Sequence, residues 1–185
     1  MNLRIFSVAV GLLVPLLLVA CGGGASEPEP VTDYPYDELQ AFEEDLGRDH
    51  FEAGMTYDDY DSNPPTSGPH SSVFSPWGVF DEAVPKEVAV HNMEHAGVIV
   101  WYNCAGDSDP LSAEDCATLR NALSALVQPQ IADGASILMT PYDDMPNRIA
   151  LTGWQHLDAF DEYDEARVQT FIDTFECRFD PENFC

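Results

Sequence analysis

Basic residues are scarce in this chain. It carries 7 lysines and arginines against 33 aspartates and glutamates, which gives a formal net charge of −26 at pH 7. A surface with this charge repels phosphate groups, so we expect neither nucleic acid nor an anionic lipid surface as a partner. The same charge favours solubility, and it attracts divalent cations weakly without requiring a defined site.

Several signatures of catalysis are also missing. The chain has no Gly-x-Ser-x-Gly motif to present a nucleophilic serine and no glycine-rich phosphate-binding loop. It has 5 cysteines, and no two of them form the Cys-x-x-Cys pair that would indicate a redox centre or a structural zinc site. The sequence therefore gives little support to nucleophilic hydrolysis, nucleotide chemistry or thiol chemistry.

The longest apolar run lies at the N-terminus. It follows Arg4, extends from Ile5 to Ala20 and ends in Leu18-Val19-Ala20-Cys21. A positive charge before an apolar stretch shorter than the roughly 20 residues of a spanning helix is typical of a secretory signal peptide. The ending resembles a bacterial lipobox, so we predict that residues 1–20 are removed and that Cys21 carries a lipid. The alternative is a membrane anchor that is not cleaved.

Composition changes after Cys21. Residues 21–35 are rich in glycine, proline and glutamate, and we predict that they form a flexible tether. The lipid chains would then provide the membrane anchor, on the extracytoplasmic side of a bacterial cell envelope. Residues 36–185 suffice for one globular domain, and the chain contains no internal repeat.

The remaining cysteines indicate disulfides. An exported protein folds in an oxidising compartment, and four cysteines are left once Cys21 is lipidated. We predict the pairs Cys104–Cys116 and Cys177–Cys185, because each closes a short local loop.

Apolar patterning predicts an α+β fold, a single domain with a mainly antiparallel sheet and two packed helices. Ser112 is a candidate N-cap for the first of these helices. The predicted strands are 88–90, 97–102, 136–140 and 149–153, and the helices are 112–127 and 166–175. Residues 36–46 are predicted to be a short acidic helix or an ordered lead-in, 49–57 to be extended, and the proline-rich stretch 62–76 to be irregular.

Three of the 5 histidines lie in constrained segments. His70 ends a proline-rich loop, and His91 and His95 flank Asn92-Met93-Glu94. In a helix, His91 and His95 share a face, and in a strand residues 91, 93 and 95 point to the same side. Either geometry lets both imidazoles bind one ion, and neutral imidazole suits zinc, copper, nickel or iron.

The segment His91–His95 has a second interpretation, because it matches the H-x-x-E-H pattern of inverted zinc proteases. That pattern requires a long helix, whereas only about seven residues separate two β-prone stretches here, so we disfavour the protease. Glu94 is a candidate ligand, a carboxylate that orients a histidine, or a base. A thioether from Met93 would favour copper, although Met93 fits the hydrophobic core equally well.

These residues resemble the bacterial family called domain of unknown function 3105. The resemblance rests on Arg48-Asp49-His50, Pro64–His70, Val84-Pro85, Val90–His95 and the apolar strand that follows, and it extends through Gly153-Trp154 to the last helix. It implies that His50, His70, His91, Glu94 and His95 belong together, but it implies no activity. Members often carry leucine where Met93 stands, which favours a packing role for Met93. Some carry cysteine at the position of Trp77, which implies a different disulfide pattern in those members.

We therefore expect an envelope lipoprotein that binds one copper or zinc ion through His50, His70, His91 and His95. Glu94 and Met93 would lie close to the ion, and the role would be metal handling or storage rather than catalysis. A metal-dependent hydrolase that uses the H-x-x-E-H segment and an interaction module without a metal site are the alternatives. Histidine nitrogens within about 4 Å of a common point would favour binding, and a cleft that lets Glu94 reach a metal-bound water would favour the enzyme.

The lipid anchor gives the first testable prediction. A Cys21→Ser variant should remain unlipidated, because no other cysteine follows a lipobox-like sequence. Cells are labelled with a radioactive fatty acid and fractionated, and wild type should carry label in the membrane fraction. Label retained by the variant would show that the lipid is attached elsewhere.

Overall fold

The computed structural model describes residues 31–42, 46–106 and 110–185. The predicted signal peptide, Cys21 and the first part of the tether lie outside these ranges. Within them, three helices and eight strands follow one another along the chain. They are β1 Gln40–Ala41, β2 His50–Phe51, β3 His70–Ser71, β4 Gly78–Val79, α1 Lys86–Glu94, β5 Val98–Tyr102, α2 Ala113–Ala132, β6 Ile137–Pro141, β7 Ile149–Gly153, β8 His156–Phe160 and α3 Glu165–Phe175.

The main sheet has the strand order β1-β8-β7-β5-β6-β4. The pairs β1–β8, β8–β7 and β7–β5 are antiparallel, whereas β5–β6 and β6–β4 are parallel. Strands β2 and β3 form a separate parallel pair that places His50 opposite His70. The predicted α+β fold with a mainly antiparallel sheet is confirmed.

Side chains of β5 alternate between two hydrophobic layers, as expected for a strand that is covered on both faces. Val98, Val100 and Tyr102 face a core built with α2 and α3. Ile99 and Trp101 face a second core that includes Ala89, Val90 and Met93 of α1. The sheet therefore separates α2 and α3 from α1, and the candidate site lies on the α1 side.

Strands β5, β6 and β7 and helices α2 and α3 confirm the corresponding predictions. Ser112 caps α2 by accepting a hydrogen bond from the Asp115 N–H at 3.1 Å. The helix then runs past the predicted end at residue 127 to Ala132, with Pro129 inside it. In the described ranges, no helix has both the length and the apolar character needed to cross a membrane.

The strand predicted for Val88-Ala89-Val90 was wrong, because these residues lie in α1. The helix begins directly after Pro85. Its side chains Ala89, Val90 and Met93 are fully buried, so tertiary packing overrides the β-propensity of the valines. The helix is also only 9 residues long, which leaves little length over which a helical repeat could show in the sequence.

Two further differences concern the strands β1 and β8. The short helix considered for residues 36–46 is absent from residues 36–42, which form a lead-in containing β1. Strand β8 was not predicted. The lead-in is held against α3 because Arg167 forms ion pairs with the fully buried Asp158 and with Glu38.

Both predicted disulfides are present. Cys104–Cys116 joins the end of β5 to α2, and Cys177–Cys185 closes a loop after α3. On the chain-entropy view, loops with sequence separations of 12 and 8 stabilise the fold mainly by restricting the unfolded chain.

The second prediction follows from these loops. Replacing Cys104 and Cys116 together by alanine should lower the free energy of unfolding by about 2–3 kcal/mol. Denaturant unfolding of wild type and the double variant, both without reductant, measures this difference. Equal stability, together with free thiols in the wild-type protein, would contradict the assignment.

Candidate metal centre

Four side chains from three elements converge on one point. His50 comes from β2, His70 from β3, and His91 and Glu94 from α1. One ligand atom from each of these residues can be chosen so that all four lie within 4.8 Å of one another. We call these four residues the inner cluster. Three imidazoles and a carboxylate at this separation could hold a metal ion.

The inner cluster is buried on most sides. His70 is 0% exposed, Glu94 2% and His91 6%. His50 is the most open member, since 38% of its side chain is accessible to water. The cluster therefore lies under the surface with one side open at His50.

Backbone carbonyls fix the orientation of two imidazoles. His70 Nδ1–H donates to the Gly68 carbonyl at 2.8 Å, and His91 Nδ1–H donates to the Ser71 carbonyl at 2.7 Å. Because a carbonyl only accepts, the proton of each neutral ring must sit on Nδ1, which leaves Nε2 free to bind an ion. Metal-binding histidines in proteins are commonly oriented in this way.

The loop that supplies these carbonyls is held against α1. The side chain of Asn92 accepts a hydrogen bond from Ser75 N–H at 2.9 Å and donates one to the Ser75 carbonyl at 2.8 Å. Asn92 is fully buried. It therefore ties the chain after β3 to the helix that carries His91 and Glu94.

The contact between His70 and Glu94 is favourable only with a proton or a metal ion between the two side chains. His70 Nε2 lies 2.9 Å from Glu94 Oε2, and His50 Nε2 lies 3.2 Å from the same oxygen. Since His70 Nδ1 already carries a proton, a neutral His70 would point a lone pair at a carboxylate. A second proton or a metal ion between the two atoms turns this repulsion into attraction.

Burial and the neighbouring charges act in opposite directions on the pKa of Glu94. Burial alone would raise the pKa of Glu94, but the hydrogen bond from His70 and the charges of His70, His50 and Arg48 outweigh it. The pKa of Glu94 therefore lies below its usual value, and the group is an anion at neutral pH. Arg48 contributes through Nη1, 3.5 Å from Glu94 Oε1.

The pKa of His91, the histidine of the inner cluster that lies on α1, is also lowered, but for a different reason. Burial has the largest effect and lowers the pKa of His91. The hydrogen bond to the Ser71 carbonyl opposes it, and the neighbouring His95, His70 and His50 lower the pKa further. His91 is thus neutral at pH 7, which is the form that binds a metal ion.

His95 lies beside the inner cluster rather than in it. Its Nε2 is 3.0 Å from His91 Nε2 and 3.1 Å from Glu182 Oε2. Burial lowers the pKa of His95, while Glu182 and Glu94 oppose this effect. The sequence indicated a set of four histidines, whereas the structure brings Glu94 together with His50, His70 and His91 and places His95 next to them.

The other candidates lie apart from the ligand atoms. Met93 is fully buried and belongs to the hydrophobic core between α1 and the sheet, so it packs as the sequence comparison favoured. His156 was left out of the predicted site, and its Nδ1 donates to the Trp154 carbonyl. Glu182 was missed by the sequence analysis, because no local motif surrounds it.

Spacing in the inner cluster suits a first-row metal. Tetrahedral bonds of about 2.0–2.2 Å to nitrogen and oxygen place neighbouring ligand atoms about 3.3–3.6 Å apart. Glu94 Oε2 lies 2.9 and 3.2 Å from the two histidines, and the four ligand atoms lie within 4.8 Å of one another. Small side-chain movements would therefore suffice to bring these atoms around one ion.

A family model described as "Protein of unknown function (DUF3105)" matches residues 53–183. This is more than half of the chain, so the chain belongs to that family, and the resemblance drawn from the motifs is confirmed. The matched region contains His70, His91, Glu94, His95 and Glu182, and it begins just after His50. No curated protein and no solved structure matches the chain.

Proposed function

We propose that this member of the DUF3105 family is a lipid-anchored envelope protein that binds one copper or zinc ion at the inner cluster. Its role is to handle or store the ion. One observation carries the proposal: His70 and His91 are buried, each is held by a backbone carbonyl at Nδ1, and one ligand atom of each lies within 4.8 Å of ligand atoms of His50 and Glu94.

The ligand chemistry narrows the choice of metal. The inner cluster offers imidazole nitrogen and carboxylate oxygen, which suit Zn²⁺ and Cu²⁺. A thioether would have favoured Cu⁺, but Met93 is packed in the hydrophobic core. We therefore favour the divalent forms of the two metals.

The envelope location is supported by two features of the chain. The apolar N-terminal run ending at Cys21 has the pattern of a lipoprotein signal, and two disulfides suit an oxidising compartment. The lipid on Cys21 would be the contact with the membrane, because the acidic domain itself is repelled by anionic lipid.

A metal-dependent hydrolase remains the second candidate. It is favoured by α1, which supplies the helical geometry that the H-x-x-E-H pattern needs and brings His91 Nε2 to 3.0 Å from His95 Nε2. Against it, both carboxylate oxygens of Glu94 already contact cations or histidines: Oε1 lies near Arg48, and Oε2 lies near His50 and His70. A base in such an enzyme needs a free oxygen to reach a metal-bound water. Zinc-dependent peptide or ester hydrolysis that disappears in Glu94→Gln, while zinc stays bound, would support the enzyme.

The third prediction tests metal binding directly. Calorimetric titration of the tag-free protein with Zn²⁺ and with Cu²⁺ at high salt should give one tight site. His70→Ala should weaken this site by more than about 100-fold, because a ligand is lost rather than a group that orients one. His91→Ala should act in the same direction.

His156→Ala is the matched control, since it removes a partly buried histidine that lies outside the cluster. It should leave the affinity unchanged. High salt suppresses diffuse binding to the acidic surface but not direct coordination. Acidification to pH values below about 6.5 should weaken metal binding, because the pKa of His91 is lowered and protons compete for its imidazole only there. Equal binding by wild type and His70→Ala, or no binding by either, would overturn the proposal.

A further inference from the structure

A second set of ligand atoms lies beside the inner cluster. His95 Nε2 is 3.0 Å from His91 Nε2 and 3.1 Å from Glu182 Oε2. Ligand atoms around one tetrahedral metal ion lie about 3.3–3.6 Å apart, so each of these pairs would have to separate by only a few tenths of an ångström. We call His91, His95 and Glu182 the outer set.

The segment that carries Glu182 is fixed to the end of α1. Cys177 N–H donates to the Ala96 carbonyl at 2.9 Å, and Phe179 stacks on Trp154 with ring centroids 4.8 Å apart. The disulfide Cys177–Cys185 closes the segment on itself. The position of Glu182 beside His95 is therefore built into the fold.

His91 belongs to both sets but can serve only one ion at a time. Its Nδ1–H is used by the Ser71 carbonyl, so Nε2 has the single lone pair available for an ion. When this lone pair binds an ion in the inner cluster, His91 cannot bind an ion in the outer set, and the reverse also holds. A shared ligand of this kind lets an ion move between two positions without being fully released.

Each set has one member that is open to water. The side chain of Glu182 in the outer set is 41% exposed and that of His50 in the inner cluster is 38% exposed, whereas His70 is 0% exposed. Phe74 and Phe184 cover His95, with ring centroids 4.5 and 3.9 Å from the imidazole. Glu182 is thus the member of the outer set best placed to meet a hydrated cation.

We propose that the outer set is a transfer position through which the metal ion passes between water and the inner cluster. The inference rests on the proposed function, because it assumes that the inner cluster holds the ion. Glu182 meets the hydrated ion first, His95 and His91 then replace bound water, and His91 carries the ion inward.

The outer set should bind more weakly than the inner cluster, as a transfer position requires. In this ring orientation Nε2 of His95 faces His91 and Glu182. It can bind an ion only when the ring proton is on Nδ1 or when the ring is deprotonated. Nδ1 is buried and has no hydrogen-bond partner among the described residues. Protonating it leaves an unsatisfied buried donor, which is unfavourable.

The experiment measures the rate of zinc release. The full-length chain is loaded with one equivalent of Zn²⁺ at high salt and mixed rapidly with an excess of a chelating dye. Glu182→Gln should slow release roughly tenfold, because losing the transfer position raises the barrier without altering the bound state. The equilibrium affinity should stay close to that of wild type, so loading should slow by the same factor. Glu162→Gln, which removes an exposed charge elsewhere, should behave as wild type.

His95→Gln is the second variant and should slow release in the same way. Faster release in Glu182→Gln would mean that the C-terminal segment only covers the inner cluster, and this would overturn the inference. Unchanged release would mean that the ion passes on the His50 side, with the same consequence. A wild-type protein that binds neither zinc nor copper would overturn the proposed function, and the inference would fall with it. The other two outcomes contradict the inference alone.

Discussion

The buried carboxylate of Glu94 is the group on which the site depends. Removing an anion from water is costly unless other charges and hydrogen bonds replace the lost solvent. Here His70, His50 and Arg48 supply that replacement, at distances of 2.9, 3.2 and 3.5 Å. His50 lies in β2, His70 in β3 and Arg48 just before β2. The charge of Glu94 therefore attracts segments that are distant in sequence toward α1. The resulting arrangement of nitrogens around an anion is what a divalent cation requires.

The sheet supplies the rigidity that this arrangement needs. Helix α1 is placed by Ala89, Val90 and Met93, which pack against the Ile99 and Trp101 face of β5. Space at the turn after α1 is limited, since a Cβ on Gly97 would lie 2.3 Å from the Trp77 ring and 2.9 Å from the Asn92 carbonyl. Glycine at this position thus lets β5 begin directly behind the helix, so a short helix with weak intrinsic stability holds two ligands in fixed positions.

The sequence indicated the outline of the fold and most of the site, but not its local geometry. Apolar runs bounded by turn residues correctly indicated the strands 97–102, 136–140 and 149–153. Helix α1 was not predicted, since Val88 and Val90 favour strands and its 9 residues are too few to show a clear helical repeat. The error affected the predicted site, because the helix places both His91 and Glu94 beside His70. Glu182 lies 87 residues after His95 in a segment without a motif, and only the docking of the C-terminal loop reveals it.

X-ray absorption of the zinc-loaded protein at high salt is the most direct test of whether the inner cluster holds the ion. Imidazole rings bound to zinc give a multiple-scattering pattern that carboxylates and water do not. We expect mainly nitrogen at about 2.0–2.1 Å, with imidazole scattering that decreases in His70→Ala and persists in His156→Ala. A shell of oxygen alone, unchanged in His70→Ala, would place the zinc on surface carboxylates and contradict a metal centre at Glu94.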